Sequence, residues 1–223
     1  IYDCVTFFQE NLQMHLRFNI LDEVVDKFVV CESIYDHRGR EKKINFSKDK
    51  FPHISHKIEH VIVTKKFPIK NTPWQNQSLQ REFIFEGIKE ANNQDLIMFS
   101  DPDEIPNPEK LKNFKLNRKF GIFLQNMYTY KLNLFNKYET PWEGTRICKK
   151  KDLKSVDWLR NKVLLKNLKY GIWRIDKEKN IQIISDGGWH FNYLLKPEEI
   201  AKKFKSLAET SWDKEEYFNL ENI

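Results

Sequence analysis

"MFSDPDEIPNPEK", residues 98–110, is the stretch from which the rest of the chain can be read. The apolar run "DLIMFS" (95–100) ends in three carboxylates, Asp101, Asp103 and Glu104, and Pro106 and Pro108 follow at once. A short, continuous apolar run bounded by turn residues is the pattern of a strand covered on both faces. In open α/β sheets, ligands collect at the carboxyl ends of such strands. Crowded like charges are unfavourable unless a cation shares them. An Asp-x-Asp segment in extended conformation turns both carboxylates to one side. A hard ion such as Mg²⁺ or Mn²⁺ can take them there together with phosphate oxygens. The competing reading is a solvated acidic turn ahead of a helix over 108–113, where carboxylates near the N-terminus are favourable anyway. The two prolines hold Ile105 and Asn107 extended.

Outward from this point the chain alternates between two periods, as βα architectures do. Upstream, "IYDCVTFF" (1–8) predicts a buried strand, and Leu12, Leu16, Ile20 and Val24 recur every fourth residue as a helical stripe. "KFVVCES" (27–33) predicts a second strand, residues 35–53 a long polar loop, and "KIEHVIVT" (57–64) a third strand. Leu79, Phe83, Ile84, Ile88 and Ala91 predict a helix over 78–91, with Arg81, Glu82, Glu86 and Lys89 on its opposite face. Downstream, residues 119–135 and 145–153 read as longer antiparallel strands. "IQIISDGGWHFNYL" (181–194) reads as a strand, a Gly-Gly turn and an aromatic segment. Pro197 opens a last helix with Ile200, Phe204 and Leu207 on its inner face. The expectation is one α/β domain over 1–223, with a βα half (1–110) and a mixed-sheet half (111–223).

Composition narrows the class. With 223 residues, 40% hydrophobic and 17 Phe, 8 Tyr and 6 Trp, the chain can bury a sizeable core. No apolar run approaches the ~20 residues of a membrane helix, and the N-terminus has no basic n-region or cleavage site. Three widely spaced cysteines, Cys4, Cys31 and Cys148, fit a reducing compartment. The formal net charge is +6, but the lysines are scattered, "KKKD" (149–152) being the densest run. Basic charge without a clustered face argues against nucleic acid and is compatible with phosphate-bearing small molecules. The abundance of Lys, Asn and Ile with few Gly is that of an AT-rich genome, bacterial or viral.

The chain resembles glycosyltransferase family 17. The matching stretches are "IYDCVTFFQENLQMHLRFNIL" with "VVDKFVVCES", then "QSLQREFI" (77–84), "SDPDEIP" (100–106), and "GGWHFNYL" (187–194) followed by the Ile200 helix. They fall in order over nearly the whole chain, and "SDPDEIP" and "GGWHF" are specific only together. The resemblance implies a GT-A-like fold and a nucleotide-sugar donor carrying N-acetylglucosamine, UDP-GlcNAc. It also implies a Mn²⁺ or Mg²⁺ ion, a glycan or glycolipid acceptor, and inversion at the anomeric carbon. Where the family carries a Ser-Phe-x-His-Glu-like pattern after the final helix, this chain has "SLAETS" (206–211), without histidine, which implies a different acceptor or rate.

Under that resemblance Asp103 is the direct metal ligand, Asp101 meets metal, ribose or sugar, and Glu104 supports either. Glu32, at a strand end, would accept from uracil or ribose; as an ordinary residue it would be a surface carboxylate. Gln80 and Arg81 lie on the helix feeding the metal strand. Arg81 can grip a diphosphate or the carboxylates with two donors, and a pair with Glu86 has poor helical spacing. His190 follows Gly187, Gly188 and Trp189, and a neutral imidazole there would supply a third metal ligand. On pattern alone a histidine among aromatics is a core residue. Trp189, Phe191 and Tyr193 alternate as core aromatics do, with stacking on a sugar as the other reading. Trp142 and Gly144 would border donor or acceptor. Inverting transfer needs a carboxylate base, for which Glu143 and Asp186 are candidates by neighbourhood. The rivals are a transferase using UDP-galactose or GDP-mannose, a two-metal phosphodiesterase, and a basic nucleic-acid-binding module. The expected location is cytoplasmic, with no membrane span and room for peripheral membrane contact.

Overall fold

In a computed structural model, which describes residues 1–205, the first apolar run forms β1 (Tyr2–Phe7). Next come α1 (Asn11–Leu21), β2 (Lys27–Ser33) and β3 (Ile58–Val63). A helical region follows in two pieces, α2 (Pro73–Glu82) and α3 (Ile84–Gly87), and leads into β4 (Leu96–Ser100). The prolines frame β5 (Glu104–Pro106) and the four-residue α4 (Pro108–Leu111). The remainder comprises β6 (Phe120–Thr129), β7 (Trp142–Lys149), α5 (Val156–Lys162), β8 (Ile181–Ile184), β9 (Gly188–Asn192) and α6 (Pro197–Phe204). The Phe204 side chain, Leu207 and the 206–211 stretch lie outside the described residues.

All nine strands join one mixed sheet in the order β3-β2-β1-β4-β7-β6-β9-β5, with β8 also on β6. β3, β2, β1 and β4 are parallel, so β1 is flanked by β2 on one side and β4 on the other. That arrangement is a topological switch point, where loops leaving the strand ends diverge and open a crevice. β7 then runs antiparallel to both β4 and β6. β6 is long enough to serve two partners: Phe120–Phe123 pairs with β8 and Asn126–Thr129 with β9, either side of a register shift at Ile122/Leu124. Gly188, at φ 127°, lets β9 cross β5: a Cβ there would stand 2.1 Å from the Ile105 carbonyl oxygen.

The sheet divides the core. One cluster joins Met14, Phe18 and Leu21 of α1 to Val5, Phe28, Met98 and Phe123; the other joins Ile84, Ile88, Val156 and Leu159 to Cys4, Val29, Ile97 and Phe99. All three cysteines are buried and free.

Two helices differ from the sequence reading. α1 forms, but its buried residues are Gln13, Met14, Arg17, Phe18 and Leu21, while Leu12 is exposed and Leu16 and Ile20 are only partly buried. The apolar stripe is therefore a shoulder, because Arg17 is drawn inward by a charge partner. α2 begins earlier than expected, at a capping box in which Thr72 Oγ1 accepts from the Gln75 N–H and Gln75 Oε1 from the Thr72 N–H. Its turn past Gln80 puts Gln80 and Arg81 inside and leaves Leu79 exposed.

Candidate active site

The loop after β4 is fixed from beneath. Arg17 donates to both oxygens of Asp3 (Nε to Oδ2, 2.6 Å; Nη2 to Oδ1, 2.5 Å), to Ser100 Oγ (2.9 Å) and to the Glu104 carbonyl (2.5 Å). One buried guanidinium thus ties α1 and β1 to the residues on either side of Asp101 and Asp103. Within the loop the Glu104 N–H donates to the Asp101 carbonyl (3.0 Å) and the Asp101 N–H to Glu104 Oε2 (3.1 Å). β5–β9 pairing sets Glu104 opposite His190, and the Phe191 N–H donates to the Asp103 carbonyl (2.8 Å).

The carboxylates are sorted by partner. Asp101 Oδ2 accepts from Arg160 Nη2 (2.8 Å), and its Oδ1 from Arg81 Nη2 (3.3 Å). Burial alone would raise the Asp101 carboxyl, but the two guanidinium groups outweigh it and hold it down to about 2. Asp103 faces other cations: its Oδ2 lies 3.5 Å from Lys203 Nζ, and its Oδ1 3.5 Å from His190 Nε2. Against burial, these hold Asp103 well below the usual carboxylate range; against burial in turn, Asp103 raises His190. Lys203 also lies 3.4 Å from Glu10. Two polar atoms buried here, Arg81 Nε and His190 Nδ1, have no hydrogen-bond partner among the described residues.

These groups line a cavity of about 750 Å³ at the carboxyl ends of β1, β2 and β4. Its lining draws Thr6, Phe8, Tyr35, His37, Lys42 and Trp74 from the first half of the chain and Trp142, Glu143, Asn161, Leu164, Asn192 and Tyr193 from the second. Asp101, Asp103, Arg81, Arg160, His190 and Lys203 lie on its lining as well. His37 is pushed down to about 4, chiefly by burial and further by Arg81, despite its contact with Gln80 Oε1 (3.0 Å).

Several sequence expectations land elsewhere. Glu32 is wholly buried and does not line the cavity: its carboxylate takes Lys42 Nζ and the N–H groups of Asn45 and Phe46 (2.9 and 3.0 Å). It orders the 42–46 loop instead of facing a nucleoside. Glu104 is likewise wholly buried, held by Trp142 Nε1 and Arg160 Nη2, each at 2.7 Å. Its oxygens are used within the protein. Gln80 lines the cavity, but its amide Nε2 donates to the Cys31 carbonyl (3.0 Å). Arg81 pairs with Asp101 and Asp157 (2.9 Å), not with Glu86. Asp186 is exposed on the β8–β9 turn and is not among the cavity residues. Glu143 is at the cavity, its Oε2 accepting from the Leu165 N–H (2.9 Å) and Arg146 Nη2 (3.2 Å). Of the aromatic trio, Phe191 is core, Trp189 packs against the core, and Tyr193 lines the cavity. Trp142 borders the cavity; Gly144 does not.

Arg160 and Lys203 were not anticipated. Arg160 sits on α5, whose signature was present: Ser155 as N-cap, its Oγ accepting from the Trp158 N–H (3.0 Å), and Val156, Leu159 and Val163 at helical spacing. Lys203 sits on α6, one of several lysines in "KKFK" (202–205) that nothing in the sequence distinguishes.

The model of glycosyltransferase family 17 matches residues 1–223. The beta-1,4-mannosyl-glycoprotein 4-beta-N-acetylglucosaminyltransferase of Homo sapiens is 31% identical over 103 residues, which is 42% of this chain and 19% of that protein. The Rattus norvegicus protein of the same name matches to the same extent, 31% over 103 residues. Among solved structures, S. aureus TarS 1–349 aligns with 98% of this chain and 69% of its own, at 11% identity and a TM-score of 0.42. A glycosyltransferase involved in glycosylation of the PBCV-1 major capsid covers 82% of this chain and 80% of its own, at 9% identity and 0.38. Scores this low carry no argument about the site.

Proposed function

The chain belongs to glycosyltransferase family 17, and on that footing we propose that it transfers N-acetylglucosamine from UDP-GlcNAc to a glycan or glycolipid acceptor, with inversion. The observation that carries this reading is the meeting of Asp101, Asp103, Arg81, Arg160 and His190 at one cavity beside the switch point. The 1–110 half supplies most of the nucleotide-sugar site, with Arg160 and His190 added from the 111–223 half, which also meets the acceptor. Arg81, whose buried Nε has no hydrogen-bond partner among the described residues, and Arg160 hold the diphosphate, oriented by Asp101. The matched length, 19% of the human relative, leaves donor and acceptor to be tested directly.

A divalent ion, Mn²⁺ or Mg²⁺, fits Asp103 and His190. Their 3.5 Å separation is longer than a charge-assisted hydrogen bond of about 2.7–2.9 Å. Among the described residues no three of His, Cys, Asp and Glu converge into a cage, so two protein ligands would share the shell with phosphate oxygens and water. Bound there, the ion would supply charge stabilisation for the leaving diphosphate.

The rest of the chemistry belongs to the chain. Arg81 and Arg160 are positioned before reaction, so they stabilise developing negative charge with little reorganisation. Glu143 takes the proton from the acceptor hydroxyl as its oxygen bonds to the anomeric carbon and the bond to the diphosphate breaks. Its Oε2 is anchored, while Oε1 accepts no hydrogen bond among the described residues. A nucleotide-release assay over UDP-GlcNAc, UDP-galactose and GDP-mannose, with Mn²⁺ or Mg²⁺, tests this. Preferred turnover of UDP-GlcNAc is expected; turnover of another donor alone, or of none, contradicts it.

A further inference from the structure

Two tyrosines end the paired strands β6 and β9 in a conformation that bulky side chains rarely adopt. Thr129 and Asn192 are the last partners in the ladder, and the residues after them, Tyr130 (φ 65°) and Tyr193 (φ 53°), are both left-handed. The Tyr130 N–H donates to the Asn192 carbonyl (2.9 Å), which closes the pair. The two rings then stack, centroids 6.0 Å apart and planes 25° apart. Strain of this kind collects where a site requires a side chain in one place. Here it falls twice, on adjacent strands, and Tyr193 lines the cavity.

Tyr193 and its neighbour Asn192 line that cavity, as do Asp103, His190 and Lys203. Tyr130 continues the aromatic face outward and is 50% exposed. Lys203, which reaches Asp103, lies 5.9 Å from the Tyr193 ring centroid. An exposed aromatic face with an amide beside it suits one ligand chemistry. The C–H face of a pyranose lies against the negative ring faces while its hydroxyls meet the Asn192 amide.

We infer that the Tyr130–Tyr193 pair is the platform on which the acceptor saccharide stacks, beside the cavity that Tyr193 and Asn192 line. The inference rests on the transferase reading for its role but makes a claim about saccharide binding that stands apart from the donor. Tyr130 and Tyr193 are positioning residues in this scheme.

The test is saturation-transfer NMR with methyl α-D-mannopyranoside, methyl β-D-galactopyranoside and methyl N-acetyl-β-D-glucosaminide. It uses wild type, Tyr130→Phe, Tyr130→Ala and Tyr130→Gly, with UDP affinity measured in parallel. Glycine adopts positive φ freely, so Tyr130→Gly keeps the turn while removing the ring. At least one glycoside should bind wild type through its ring C–H protons. Affinity should fall about fivefold or more in the Ala and Gly variants and persist in Tyr130→Phe, the scale of a lost aromatic contact. UDP affinity should not change. No glycoside binding to wild type, or equal binding by Tyr130→Gly, overturns the inference. Glycoside binding without UDP binding would instead sink the donor reading and leave the platform standing.

Discussion

Arg160 Nη2 lies 2.7 Å from Glu104 Oε1, and the Glu104 side chain is 0% exposed. The same nitrogen lies 2.8 Å from Asp101 Oδ2. Glu104 and Asp101 raise Arg160 against its burial, so it stays charged at any ordinary pH. Arg160 therefore binds the buried carboxylate that shapes the loop and the carboxylate that lines the cavity. Removing one partner of such a pair strands a charge in a poorly solvated place. Arg160→Met should lower unfolding stability by about 3–5 kcal/mol in urea titrations. Adding Glu104→Gln to that variant should recover part of the loss. A loss below about 1 kcal/mol would place the pair among exposed ion pairs, contrary to its burial.

Arg81 has a different balance of roles. It spans Asp157 and Asp101, its Nε has no hydrogen-bond partner among the described residues, and a planar guanidinium fork is what such a span requires. Arg81→Lys should keep the fold but raise the KM for the nucleotide sugar by about tenfold, the scale of one lost charge-assisted bond. An unchanged KM, with kcat alone reduced, would remove Arg81 from ground-state diphosphate binding.

His37 gives a pH signature. Its folded value is about 4, because burial disfavours the charged imidazole. In the unfolded chain it titrates near about 6.5. Between these values the unfolded state holds the extra proton, so stability falls as pH drops through about 6.5 and levels off below the folded value. The contribution is at most about 3 kcal/mol. His37→Gln should flatten that part of the stability–pH curve relative to wild type. Parallel curves from pH 4 to 7 would show that His37 titrates alike in both states.

The sequence made the strand ends legible and hid the counter-charges. "DLIMFS" followed by Asp-x-Asp-Glu marks a buried strand and its mouth because both are local patterns, and β4 and its loop lie there. Asp101 and Asp103 reach the cavity while Glu104 turns inward, because a carboxylate's partners decide its direction and Trp142 and Arg160 come from 38 and 56 residues away. Glu32 misleads similarly: a strand-end acid looks the same whether it faces a ligand or holds a loop through two backbone N–H groups. Arg17 shifts the buried face of α1 because Asp3, on the neighbouring strand, repays its desolvation. Periodicity counts apolar residues and is blind to such a pair. Lys203 is invisible for the reverse reason: only the docking of α6, through Gln9 Nε2 to the Glu199 carbonyl (3.1 Å), selects it from its neighbours.

At the centre of the account is a diphosphate held between an ion on Asp103 and His190 and the arginines Arg81 and Arg160. Calorimetric titration of UDP into the protein, with Mn²⁺, with Mg²⁺ and with chelator, measures this directly. The account predicts one UDP per chain, affinity at least about tenfold tighter with ion than with chelator, and loss of that gain in Asp103→Ala with the fold intact. Absence of UDP binding under all three conditions, or an ion effect that survives Asp103→Ala, would contradict it.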